Sequence, residues 1–207
     1  AMRSYSLTDP EQLQPTYILS GATRSDYSHD ASSFLVNDER AERDCVNTTS
    51  AGCTVLLDFN EQTLRLWDHS NLGSAVELSA ISYPDAEYTH SGWWSEDRQY
   101  VILHDELDEQ RRGLNTTVHI FDISDLNQPT LVSTWSGPTR AIDHNGFVRG
   151  NKYYMSNYER GVTILDLSNP LAPAELGYFD TFPSSTNASF NGVWGVYPYL
   201  PSGIILA

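Results

Sequence analysis

The chain is short of basic residues, of cysteine, of helical patterning and of long apolar runs, and each shortage narrows what it can be. Lys and Arg number 12 against 27 Asp and Glu, a formal charge of -15 with a pI near 4.5. A field of that sign repels nucleic-acid phosphates and anionic lipid heads, so neither is an expected partner, and it favours cations and solubility instead. No apolar run approaches the roughly 20 residues that cross a bilayer, so direct membrane insertion is not expected of this segment. No charged-then-apolar leader opens the sequence at Ala1; the expectation is that it is absent or was removed.

The cysteines are two, Cys45 and Cys53, set among Asn, Thr, Ser and Gly. They form no CxxC and have no His beside them, which argues against a zinc site. In an exported chain they would form a disulfide that staples one loop; in a cytosolic chain they would be two thiols. G-x-S-x-G, S-x-x-K and a plausible Cys–His pair are missing, and glycine is too sparse around basic residues to cradle phosphate. No catalytic residue is assigned on these grounds.

What is present is a repeat. The segments "LRLWDHSNLGSA", "VHIFDISDLNQP" and "VTILDLSNPLAP" each give a strand, an Asp, a Ser two residues on, then Asn or Asp. They anchor at Asp68, Asp122 and Asp166, 54 and 44 residues apart. Short polar side chains that bond nearby amides end a strand and start a turn, which is the mechanical reason for the cluster. A second marker opens each unit: "SHDASSFLV" at His29, "THSGWW" at His90 and "DHNGFV" at His144, with Asn191 in place of the histidine in "FNGVW". Runs rich in Val, Ile, Leu, Tyr and Phe lie between, and helical periodicity is nearly absent.

Units of about 45 residues with four short antiparallel strands indicate an all-β fold, a β-propeller of four-stranded blades. A β-sandwich would not produce marked units of this kind. The expected divisions of the one propeller domain are residues 1–28, outer strands of a preceding blade; 29–89, a blade with the cysteine-bearing insertion; 90–143, a blade with an acidic loop; 144–190, a minimal blade; and 191–207, the start of a further, truncated blade. The incomplete ends predict a fragment of a larger propeller, in preference to a four-bladed ring closed by pairing of the two halves. If the first strand of each blade lies nearest the axis, the three histidines and the acidic "DELDE" share one face, and the cysteine insertion lies on the other.

At "THSGWWSEDRQYVILHDELDE", "DHNGFVRGNKYYMSNYERGVTILDLS" and "FNGVWGVYPYLPSG" the sequence resembles the LVIVD-repeat surface proteins, also called choice-of-anchor B proteins. The similarity runs from about Tyr27 to Ala207, with "TLRLWD" where the name-giving strand would stand. It implies an extracellular β-propeller, secreted or held at the cell surface, and it carries over no catalytic residues. The long insertion with Cys45 and Cys53 departs from the pattern.

Candidate chemistry gathers at a few places. His29, His90 and His144 could hold a divalent metal such as Zn, Mn or Fe, or a ligand, with Asp30 and Asp143 orienting the imidazoles. A structural role is favoured, because a role that recurs in every blade fits locking of the strand start. Asp105, Glu106, Asp108 and Glu109 offer hard oxygens suited to Ca²⁺, but without EF-hand spacing a solvated acidic loop is the favoured reading. Strand alternation would send Asp105 and Glu106 opposite ways. Asn47, Asn115 and Asn187 match the N-glycosylation pattern, barely more matches than composition produces by chance. Trp93, Trp94, Trp135 and Trp194 could stack on sugars, with core filling favoured. The function expected is a binding, adhesion or structural module whose partner is a surface protein, a glycan or another copy of itself. The alternatives are a metal-dependent hydrolase or oxidase working at the His/Asp mouth, and a subunit of an extracellular filament or coat.

Overall fold

In the computed structural model, residues 3–18, 27–71 and 73–207 are described. A hairpin of β1 (Arg3–Ser6) and β2 (Gln14–Ile18) stands first. Three four-stranded antiparallel sheets follow: β3 (Asp30–Val36), β4 (Cys53–Phe59), β5 (Leu64–Asp68) and β6 (Val76–Ile81); then β7 (Thr89–Trp94), β8 (Tyr100–Asp105), β9 (Thr117–Asp122) and β10 (Thr130–Ser136); then β11 (Gly146–Arg149), β12 (Lys152–Asn157), β13 (Gly161–Asp166) and β14 (Ala174–Phe179). Each sheet is a simple meander, and β7 lies beside both β3 and β11, so the first strands of the three sheets are neighbours. The N-terminal hairpin keeps to its own sheet, and among the described residues it does not pair with the C-terminal segment, where Tyr197 bridges Leu206. Residues 19–26, part of the span expected to close a preceding blade, lie outside the described residues.

The middle sheet shows why its strands read as nearly continuous apolar runs. Val101, Leu103, Phe121 and Ile123 pack toward the first sheet against Phe34, Leu57, Leu64 and Leu66. Their alternates Ile102, Val118 and Ile120 pack toward the third sheet against Val148, Tyr153, Met155 and Leu165. Side chains alternate across a strand, so a strand covered on both faces needs apolar residues at both phases. Each such burial contributes about 1.5–3 kcal/mol.

The Asp-x-Ser marker is the same device three times. Asp68 accepts from the Ser70 amide at 3.0 Å, Asp122 from Ser124 at 2.7 Å and Asp166 from Ser168 at 2.8 Å. The next polar residue repeats the turn: Asn71 accepts from Gly73, Asp125 from Asn127 and Asn169 from Leu171. In every sheet the pairing of the last two strands is shifted by a bulge, and the β1–β2 hairpin carries one too.

Cys45 and Cys53 are joined in a disulfide. The insertion that contains Cys45 begins where β3 ends. β3 runs seven residues of extended chain from Asp30 to that end, six steps or roughly 20 Å at about 3.3 Å per residue, so the insertion and His29 sit at opposite ends of the sheet. A short helix, α1 (Glu39–Asp44), lies inside it, capped by Asp38. Buried Arg40 pairs with Asp38 and donates to the carbonyls of Arg98 and Ile123, while Asp44 accepts from the Leu126 amide. The insertion thus clamps the second sheet to the first.

Candidate functional site

Three strand starts place their histidines in a row at one end of the array. The ring centroids of His29 and His90 are 4.4 Å apart, and those of His90 and His144 are 4.3 Å apart. His90 and His144 are buried, whereas His29 is exposed. Their side chains reach beyond their own sheets. His29 Nδ1 hydrogen-bonds the Tyr88 hydroxyl at 3.0 Å, and His144 Nδ1 donates to the Trp194 carbonyl at 2.6 Å. Together with Asp30, Glu106, Asn145, Tyr158 and Trp194 they line a cavity of about 430 Å³.

Glu106 is the residue that turns this row into a site. It leaves the end of β8 pointing inward, its Oε1 3.4 Å from His144 Nε2 and its Oε2 3.6 Å from His90 Nε2. The Tyr158 hydroxyl donates to the same carboxylate at 3.2 Å. Burial pushes His90 down to about 2 and His144 down to about 4, and it pushes the Glu106 carboxyl up. Burial and the neighbouring Glu106 charge raise Tyr158. Both inner imidazoles are therefore neutral at physiological pH, and two nitrogens and a carboxylate oxygen converge as donors on one point.

The acidic run of the second unit is not a solvated loop. Asp105 and Glu109 are fully buried and Asp108 is 1 % exposed. Nor is it one cation site, because the backbone sends its members three ways. Asp105 accepts from the amides of Glu87, Tyr88 and Leu107 and from the Tyr83 hydroxyl, so it builds the turn before β7. Glu106 faces the histidines. Asp108 and Glu109, on the short helix α2 (Asp108–Arg111), face Asp143 instead. Burial, reinforced by the Asp143 charge, pushes the carboxyls of Asp108 and Glu109 up.

Asp143 does not orient His144. It pairs with Nδ1 of His104, whose Nε2 hydrogen-bonds the Tyr153 hydroxyl. All three are fully buried, which makes this Asp–His–Tyr chain a strut under the mouth with no access for substrate. Asp30 is exposed at the rim and accepts from its neighbour's amide. Asn191 stays out of the cavity and holds Glu159; Trp194, 67 % exposed, forms the wall there, so it is not core. Trp93, Trp94 and Trp135 do pack against the two cores. Asn47 and Asn115 donate their side-chain amides to the carbonyls of Ser74 and Gly137, and Asn187 is exposed.

Sequence reasoning missed Tyr158, which comes from a turn with no repeated marker, and it favoured core filling for Trp194, which the "FNGVW" marker instead brings to the cavity wall. It grouped Glu106 with the wrong partners. The available signal was alternation along β8, which separates Glu106 from Asp105.

Comparison with known proteins agrees with this architecture. Residues 147–181, from the first strand of the third sheet to just past its last, match the LVIVD repeat; "TLRLWD" lies outside that match. No curated protein matches the chain in sequence. Among solved structures it is similar to a protein from Lactobacillus plantarum, at 12 % identity and a TM-score of 0.57 over 86 % of this chain and 51 % of that one. It is also similar to two candidate 6-phosphogluconolactonases. The one from Bacteroides fragilis shares 13 % identity with a TM-score of 0.53, over 97 % of this chain and 55 % of that one. The one from Bacteroides uniformis shares 16 % identity with a TM-score of 0.52, over 76 % and 44 %. The chain spans about half the length of these structures, and at such identities the likeness is one of fold. This chain carries an LVIVD repeat within a propeller-like array of four-stranded antiparallel sheets.

Proposed function

We propose that the chain is part of an exported propeller that acts as a binding module, taking a small polar ligand, the end of a surface glycan, at the mouth where the strand-start histidines meet. The observation that carries this reading is the cavity itself. All three four-stranded sheets contribute to it, and its wall is an exposed indole beside buried imidazoles and a carboxylate. An exposed aromatic face next to hydrogen-bonding groups suits the apolar face and hydroxyls of a sugar ring. The disulfide supports an oxidising compartment, and the LVIVD match supports the surface setting.

The test is a panel of mono- and oligosaccharides, with short peptides as the alternative class, titrated against tryptophan fluorescence. The expected result is saturable quenching by one glycan class, weakened at least about tenfold in Trp194→Ala, in line with roughly 1–3 kcal/mol for a stacking contact. Binding of peptides alone would move the partner class, and no binding by the parent protein would overturn the reading. One observation favours the competing reading of a metal-dependent propeller enzyme: Glu106 lies between His90 and His144.

A further inference from the structure

We infer that His90, Glu106 and His144 form a site for a zinc-class divalent ion, with its remaining coordination open to the mouth. The inference deepens the binding-module reading and rests on it only for what the open position would receive.

The argument begins with the proton on His144. Its Nδ1 faces a carbonyl oxygen, the one of Trp194, at 2.6 Å, and a carbonyl only accepts. The proton therefore sits on Nδ1, and the neutral ring presents a bare lone pair at Nε2. That lone pair points at Oε1 of Glu106 from 3.4 Å. Two acceptors facing each other in a buried place repel unless a metal cation or a shared proton lies between them, and 3.4 Å is long for a shared proton. His90 brings a second imidazole nitrogen to the other carboxylate oxygen at 3.6 Å, too long for a hydrogen bond.

The spacing that is wrong for hydrogen bonds is right for shared coordination. Bonds of about 2.0–2.1 Å to a tetrahedral ion place neighbouring donors about 3.3–3.4 Å apart. Two imidazoles and one carboxylate are a borderline donor set that suits Zn²⁺ and its first-row neighbours over Ca²⁺, which takes six to eight oxygens. The outer contacts are those of a metal centre too. A backbone carbonyl fixes the tautomer of His144, and the Tyr158 hydroxyl holds the carboxylate at 3.2 Å.

Among the described residues the site has three protein donors and opens on the cavity, and His29 is not one of the converging donors. Three ligands and an open face are the pattern of sites that bind an exogenous group, whereas structural zinc sites close with four. The disulfide removes Cys45 and Cys53 as competing thiolates.

The test uses chain stripped with chelator and titrated with ZnCl₂ alone by calorimetry, with Co²⁺ absorbance reporting the donor set and CaCl₂ as control. One Zn²⁺ per chain is expected, with Ca²⁺ at least about 100-fold weaker. Tyr158→Phe should weaken Zn²⁺ roughly 10–100-fold, and His144→Ala or Glu106→Gln by more. His29→Ala and Asp30→Asn should stay within about threefold of the parent. Should a ligand variant fail to fold, long-range ¹H–¹⁵N spectra of the parent decide: Zn²⁺ must shift Nε2 of His90 and His144 and leave the Nδ1 proton of His144 in place. No stoichiometric Zn²⁺, or trio variants that bind like the parent, would overturn the inference. Zn²⁺ binding without any glycan would overturn the ligand reading alone, and glycan binding undiminished by chelator would overturn the open coordination position as the place where the ligand is received.

Discussion

His119 shows what a single buried side chain does to stability. It is 6 % exposed, packed at 4.5 Å from the Tyr83 ring, with Thr134 at 3.3 Å from its Nδ1. Burial pushes it down to about 4, against the opposing pull of the Asp143 and Asp85 charges and with that of His104. The unfolded imidazole titrates near 6.5, so the unfolded state takes up the proton first as pH falls. The contribution of His119 is complete above about pH 7 and is lost between about 6.5 and 4. Urea unfolding of the parent and of His119→Gln should therefore show the parent losing up to about 2 kcal/mol relative to the variant from pH 7 to pH 5. An unchanged difference would mean that His119 is solvated. A glycine sets a limit of another kind: a Cβ on Gly92 would come within 2.7 Å of the Phe59 ring, so the residue two after the marker histidine must be small where the inner strands pack closest.

At the level of elements, the repeated Asp does two jobs of different weight. Asp166 accepts from one amide in an open turn. Asp68 does that and also accepts from the amides of Val46 at 2.9 Å and Asn47 at 2.5 Å, holding the disulfide-bearing insertion to β5. Asp166→Ala should cost about 0.5–1.5 kcal/mol, the net worth of a hydrogen bond, and Asp68→Ala roughly 2–4 kcal/mol, because three part-buried amides lose one charged acceptor. Equal losses in chemical denaturation would show that the insertion is held by other contacts. The turn motif was fully legible in the sequence, since an Asx turn is made within three residues. The anchoring of the insertion was not, because Asp68 meets Val46 only after three strands have paired.

Over the whole molecule, a charge of -15 on 207 residues sets self-repulsion against folding. Salt screens exposed charges over about 10 Å at 0.1 M. The melting temperature should rise between 10 mM and 300 mM NaCl; a fall would show that surface pairs such as Arg112–Glu87 outweigh the repulsion. The array also explains why the acidic run was misread. Composition assigns four clustered carboxylates to solvent, whereas here the loop that carries them is folded under the mouth, where burial raises their carboxyls and Glu106 faces two histidines.

Repeat length, strand order, turn chemistry and the two-faced apolar strands follow from the sequence alone, because each depends on neighbours a few residues apart. The meeting of His90, Glu106 and His144 draws on two sheets: His90 lies at the start of β7, Glu106 just past β8 and His144 just before β11. Only the tertiary packing decided it: which way a side chain leaves a strand is local, but what it faces is set by the sheet stacked beside it.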